Sequence, residues 1–340
     1  MRIIDLHCYP NTKTWIDCQG PYVDALAKYW KRDWTWKEEA EVAAEFRENG
    51  IHACLVALDL STTINTPPCS NDYVAGMRDR HRDCMIGAWG ALEPATGQLA
   101  IDEARHAVND LGMIGFHFHP IMQHFSVDDT RHYPLFEELT ALKVPVMIDV
   151  GMTGMGAGMP GGMGAKTRHA HPAAIDALAA DFPNLTIIMA HPGYPWIDET
   201  TVVALHKANV FWEMSGWGPK YLPEQIIRDM RGRLRDKMMF GSDYPSIPYP
   251  RLMQEWNGLG FKEEFLEAFF HGTAERVLGC REMRDHPTAR TPIGRTIAIG
   301  DPYGLSAAAC AGVASCGGAV SRGREGASAR TTQPERSGRA

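Results

Sequence analysis

Eight short apolar runs separated by amphipathic stretches limit what this chain can fold into more than any other feature it has. The runs lie at residues 2–6, 53–58, 85–91, 114–118, 144–150, 185–190, 210–213 and 237–240. They are bounded by turn residues and mostly apolar, which is the pattern of strands buried on both faces. A parallel sheet covered by crossover helices supplies that burial. The intervening segments carry the helical period, at 36–49, 97–111, 133–142, 172–182, 198–207, 223–234 and 250–258, and 261–278 reads as a closing helix. Eight such units in the first 280 or so residues predict an α/β fold, a (β/α)8 TIM barrel. The competing arrangement is a doubly wound open sheet. No G-x-G-x-x-G follows the first strand, so a dinucleotide site has no support.

The composition changes near residue 283, so the barrel is expected to occupy residues 1–282. Residues 283–340 are rich in Ala, Gly, Ser, Thr and Arg, with eight Arg against two Asp and two Glu. They hold too little apolar surface to offset chain entropy and are expected to form a low-complexity, mostly disordered tail. The whole chain has a formal charge of −7, so the barrel itself is strongly acidic. An acidic barrel argues against a nucleic-acid partner. No run approaches the roughly 18 apolar residues of a membrane span. The start, Met-Arg-Ile-Ile-Asp-Leu-His, has no apolar signal region, and eight scattered cysteines form no C-x-x-C pair. Reduced thiols and a cytoplasmic location are therefore expected.

In a barrel of this kind, chemistry gathers where the strands end and the βα loops begin. Asp5, His7 and Tyr9 follow the first strand, and His117 and His119 end the fourth. Asp149 ends the fifth, before a glycine-methionine loop at 151–164; His191 ends the sixth. Glu213, Ser215 and Trp217 follow the seventh, and Asp243 follows the eighth in Phe-Gly-Ser-Asp-Tyr-Pro. Carboxylates do not cluster in a dry cleft unless protons or a cation compensate them. Imidazole nitrogens beside carboxylate oxygens suit Zn, Mn or Fe(II).

These residues carry a resemblance. Ile4-Asp5-Leu6-His7-Cys8-Tyr9-Pro10, Gly115-Phe116-His117-Phe118-His119-Pro120, Pro145-Val146-Met147-Ile148-Asp149-Val150-Gly151, Ala190-His191-Pro192-Gly193 and Phe240-Gly241-Ser242-Asp243-Tyr244-Pro245 stand in order along the chain. Together with Gly272-Thr273-Ala274-Glu275-Arg276-Val277-Leu278-Gly279 they resemble the amidohydrolase superfamily, in the amidohydrolase-related branch that contains aminocarboxymuconate semialdehyde decarboxylase. The resemblance covers roughly residues 2–280. It implies that His7 and Asp243 hold one divalent metal, Zn or Mn, and that His191 and Asp243 move protons. Two departures matter. Tyr9 stands where the family has the second His of His-x-His, and Asp149 stands where it has a fifth-strand His. A carboxylate at Asp149 still ligates a divalent ion, and His117 is the candidate for the missing imidazole.

The resemblance implies a metal-dependent hydrolase acting on a small, carboxylated or cyclic or aromatic molecule. The alternative within the same branch is non-oxidative decarboxylation of an aromatic or unsaturated acid. A catalytically degenerate, ligand-binding barrel is the second alternative. Tyr9, His119, Arg168 and Trp217 are the candidates for substrate contact, and a homodimer is expected on the resemblance alone. Blander readings stand beside these. Asp5 orders a strand end, Asp149 caps loop N–H groups, His119 anchors its loop, Arg168 is a solvated charge, and Tyr9 and Trp217 pack. His169 and His171 precede Pro172 and read as loop structure. The tryptophan-rich segment 29–36 reads as packing, a lid or a subunit contact.

Overall fold

The computed structural model of the chain describes residues 1–279. The tail expected at 283–340 lies outside the described residues. Among these, eight parallel strands run in the order β1 to β8: β1 (Ile3–Cys8), β2 (Ile51–Val56), β3 (Met85–Ala91), β4 (Gly115–Phe118), β5 (Val146–Asp149), β6 (Ile187–Ala190), β7 (Val210–Glu213) and β8 (Met238–Met239). The sheet closes on itself where Leu6 N–H donates to Phe240 O (3.2 Å) and Tyr9 N–H donates to Tyr244 O (3.0 Å). This is the expected barrel; each expected strand is present, β3 and β7 with the expected ends and the others with ends moved by one to a few residues.

Helices follow the strands as the parallel arrangement requires. They are α1 (Lys13–Gln19), α2 (Pro21–Trp30), α3 (Glu39–Glu48), α4 (Ser61–Ile64), α5 (Asn71–Arg80), α6 (Gln98–Asn109), α7 (Tyr133–Ala141), α8 (Pro172–Asp181), α9 (Ile197–His206), α10 (Glu224–Arg231) and α11 (Tyr249–Gly258). The expected single closing helix is instead α12 (Glu263–Glu267) and α13 (Thr273–Leu278), joined by a π-turn at Ala268–Gly272. The π-turn widens the helix where Phe269 and Phe270 are buried against Phe240 (5.9 and 5.1 Å between rings), and Phe269 O receives Phe240 N–H. Four helices lie outside the expected segments: α1, α2, α4 and α5. Each places few large apolar side chains inward, and α5 is mostly polar, so periodicity does not expose them.

Buried tryptophans tie the barrel together. Trp89 Nε1 donates to Leu6 O (2.8 Å), bridging β3 to β1. Trp212 Nε1 donates to His191 O (2.6 Å), which holds the turn after β6 against β7. Phe118 points outward from β4 onto Phe136 of α7 (5.7 Å), so its neighbours His117 and His119 point inward. No described helix is long and apolar enough to cross a membrane.

Candidate active site

The barrel strands deliver their polar ends to one place. His7, Asp149 and His191, from β1, β5 and the turn after β6, offer donor atoms that all lie within 4.8 Å of one another. Asp243 Oδ1 approaches His7 Nε2 at 3.9 Å. His7 is wholly buried, whereas the side chains of His191 and Asp243 keep 14% and 19% of their exposure. The centre therefore has a closed side, at His7, and an accessible side, at His191 and Asp243. Both accessible residues sit at positive φ, 71° for His191 and 58° for Asp243. Such backbone is costly for non-glycine residues and is tolerated where the surroundings enforce it, commonly at functional sites.

Asp149 is the hub. Its Oδ1 lies 2.9 Å from His117 Nε2 and 3.5 Å from His191 Nε2, and its Oδ2 lies 3.3 Å from His119 Nε2. Burial alone would raise this carboxyl, but the imidazoles of His117, His119 and His191 outweigh it and hold Asp149 well below the usual carboxylate range. His119 Nδ1 accepts Met122 N–H (3.3 Å), so its proton sits on Nε2, facing Asp149 and Thr153 Oγ1. His119 is thus a brace for Asp149, and burial lowers it to about 4.

A second relay lies behind the two central histidines. His7 Nδ1 is 2.9 Å from Glu213 Oε1. Ser215 Oγ donates to the same oxygen (2.7 Å) and is 2.8 Å from His191 Nδ1. A carboxylate facing Nδ1 makes that nitrogen the donor, which leaves His7 Nε2 unprotonated toward the axis. Burial lowers His7 to about 4, which keeps it neutral. Burial works against protonation of His191 too, but Asp149, Asp243 and Glu213 together raise it to about 10. Burial pushes Glu213 up to about 7 and Asp243 up to about 6.

Asp5 supports the assembly from below. Its Oδ1 accepts the N–H groups of Ser242 (2.9 Å) and His7 (3.1 Å), and its Oδ2 accepts Tyr249 O–H (2.8 Å). It thereby fixes β1 to the loop that carries Asp243. Tyr9 stacks on Trp15 (5.0 Å), and its hydroxyl lies 3.3 Å from His7 Nε2. Gly216, at φ 74°, lets the β7 loop pass His191; a Cβ there would stand 2.7 Å from His191 Nδ1.

The structure brings together His7, Tyr9, His117, His119, Asp149, His191 and Asp243 from the expected set. Trp217 stands on the rim, with its ring 5.4 Å from that of Tyr194. Arg168 lies apart, in a cleft with His124, His132 and His169 that none of the central residues lines. His169 falls in a short 3-10 turn, and His171 caps α8 by accepting Ala173 N–H (3.2 Å). Glu213 and Ser215 were visible only as polar residues after a buried strand. Their signal is a wholly buried acid two positions before a serine on the same strand end.

A family model described as Amidohydrolase matches residues 15–280. No curated protein matches the chain. Similar solved structures include an uncharacterised TIM-barrel protein from Bordetella bronchiseptica, 24% identical with a TM-score of 0.67, covering 83% of this chain and 100% of that one. A dihydroxybenzoic acid decarboxylase from Polaromonas, solved with manganese and the inhibitor 2-nitroresorcinol, is 16% identical with a TM-score of 0.61 over 82% of this chain and 97% of that one. A probable 2-pyrone-4,6-dicarboxylic acid hydrolase from Acinetobacter baumannii, solved with citric acid, is 12% identical with a TM-score of 0.58 over 82% of this chain and 100% of that one. At these identities the structural matches bear on the fold.

Proposed function

The chain belongs to the amidohydrolase family, and from that premise we propose that it is a metal-dependent hydrolase of a small carboxylated or cyclic, aromatic substrate. The observation that carries this reading is the convergence of His7, Asp149 and His191 within 4.8 Å at the catalytic end of the barrel, with Asp243 Oδ1 3.9 Å from His7 Nε2 beside them. The donor set fits a divalent ion. Three carboxyls, of Asp149, Glu213 and Asp243, share the centre, and burial raises the last two, a load that a cation relieves. We assign His7, Asp149 and Asp243 to hold one ion, with His117 oriented on Asp149. Imidazole favours Zn and the carboxylates favour Mn.

An ion bound there would polarise a substrate oxygen and lower the pKa of a water. The chain's own residues supply the proton transfers. Hydrolysis needs a base for the water proton and an acid for the leaving group. Asp243, accessible at the side of the centre, suits the first role. His191, accessible and hydrogen-bonded through Nδ1 to Ser215, suits the second. We assign Tyr9 and Trp217 to contact with a planar substrate, while His119, expected to do so, instead braces Asp149. Buried free thiols at Cys8, Cys18, Cys69 and Cys84 suit a reducing, cytoplasmic setting.

The likeness to a decarboxylase solved with manganese favours a second reading. In it the bond from an aromatic or unsaturated carbon to its carboxylate breaks, carbon dioxide leaves, and His191 or Asp243 protonates the carbon. The test begins with metal content, measured by plasma mass spectrometry on protein purified without chelator. A single Zn or Mn per chain, lost in Asp149→Ala and Asp243→Ala, is the expected result. The loaded protein is then assayed on esters, lactones and aromatic acids, where carbon dioxide release separates decarboxylation from hydrolysis. Failure to take up either metal overturns the proposal and leaves the ligand-binding barrel.

A further inference from the structure

Away from the barrel axis, the loops after β4 and β5 enclose a cleft of about 320 Å³. His124, His132, His169, Arg131 and Arg168 line it, together with the Asp129 carboxylate. Phe125, another lining residue, is buried and packs on Phe118 (5.8 Å), which points outward from β4. Strand β4 therefore lies between this cleft and the inward-facing His117 and His119.

The charges around the cleft are unequally satisfied. Arg131 is paired with Asp129 (2.5 Å) and holds that carboxyl down at about 2. Asp128 accepts the Ser126 hydroxyl (2.5 Å). Lys166 and Arg168 have no side-chain hydrogen bond or ion pair among the described residues. Burial lowers His124, and Lys166 adds to this; burial lowers His169, with Arg168 and Lys166 adding to it. Burial likewise lowers His132. One unpaired cation, Arg168, thus lines the cleft, with Lys166 close enough to act on His124 and His169. His124 and His169 face the same space, which is large enough for a small molecule, while His132 is hydrogen-bonded to the Pro94 backbone.

We propose that this cleft binds a compact, multiply charged oxyanion, a phosphate or polycarboxylate group. Arg168 supplies the charge, with a planar fork suited to two oxygens, Lys166 adds to it from beside the cleft, and His124 and His169 supply neutral donors. The cleft also lies at one end of the glycine-methionine loop. Gly164 borders His124, and Lys166, Arg168 and His169 follow it directly. An anion held there ties the stem of that loop to the loop after β4.

The test is titration calorimetry on the full chain, stripped of metal with chelator, at low ionic strength. Inorganic phosphate and citrate are the two probes. One site per chain is expected for at least one of them, weakened about tenfold or more in Arg168→Ala and by a smaller factor in Lys166→Ala. Both residues are exposed, so the variants should fold, and circular dichroism checks that they do. Asp149→Asn, which alters the central site alone, should bind as the wild type does. Binding of phosphate alone identifies a phosphate site, and binding of citrate alone identifies a polycarboxylate site. The proposal is overturned by the absence of heat with either anion at roughly 10 mM, by equal affinity in the wild type and Arg168→Ala, or by loss of binding in Asp149→Asn. None of these outcomes depends on the reaction proposed above.

Discussion

Glu213 Oε1 lies 2.9 Å from Nδ1 of His7, with both side chains wholly buried, and this pair decides which nitrogen of His7 faces the barrel axis. The same oxygen receives Ser215 Oγ, which in turn meets His191 Nδ1. One carboxyl thereby orients two histidines from two strands. Partners of this kind, behind a ligand, commonly contribute about 10–100-fold in metal affinity. Glu213→Gln keeps the size and removes the charge, so metal affinity should fall by about that factor while the fold persists. Chelator competition measures it. Unchanged affinity would mean that His7 does not depend on Glu213 for its orientation.

Gly241, after β8, stands against the same carboxyl. A Cβ at this position would lie 2.3 Å from Glu213 Oε2 and 3.0 Å from Ser215 Cβ. Gly241→Ala should therefore displace the relay without touching any proposed ligand. The expected result is weakened metal binding of the kind seen in Glu213→Gln, with a stability loss of about 1–3 kcal/mol by denaturant titration. Normal metal affinity in a destabilised Gly241→Ala would separate packing from orientation and count against the relay.

The sequence carried the barrel because its strands are apolar on both faces, and runs such as Met85–Ala91 and Val210–Glu213 start and stop with the observed strands. It also carried the inward histidines and Asp149, since each ends such a run. Three things were not legible. α5 has no apolar stripe, and its start rests on Ser70, whose Oγ accepts Tyr73 N–H (3.2 Å). The relay of Glu213 and Ser215 depends on the register that sets β7 beside β6, with Ala190 opposite Glu213. The separation of Arg168 from the centre depends on how the β4 and β5 loops fold, and strand periodicity says nothing of loops.

Glu93, after β3, gives a pH dependence outside the proposed centre. It is buried, its Oε1 accepts Ala95 N–H (3.3 Å), and burial raises it from 4.5 to about 7. Between those values the unfolded chain has released a proton that the folded chain keeps. Stability must then fall as pH rises from about 4.5 to 7 and level off above it. Glu93→Gln keeps the capping oxygen and cannot ionise. It should match the wild type near pH 4 and exceed it by about 1–3 kcal/mol at pH 8. Denaturant titrations at the two pH values check this, and a gain of equal size at both would point to a cause other than ionisation.

Tyr9 offers the sharpest test of what this chain has done with the position that usually holds a second histidine. Burial, and then the carboxyls of Asp149, Asp243 and Glu213, push its phenol well above the ordinary value of 10, so it stays protonated. A neutral phenol is a poor ligand. With Nδ1 of His7 committed to Glu213, the Tyr9 hydroxyl at 3.3 Å is placed to donate to Nε2, the nitrogen a metal would use. Tyr9→Phe removes that competitor and keeps the ring on Trp15. It should bind Zn or Mn as well as the wild type or modestly more tightly. Tyr9→His adds an imidazole beside His7 and should tighten Zn binding by about tenfold or more, equivalent to 1.4 kcal/mol. Its stability is measured in parallel, because the smaller ring gives up contact with Trp15. Loss of metal in Tyr9→Phe would overturn this account, since it would make the phenol itself a ligand.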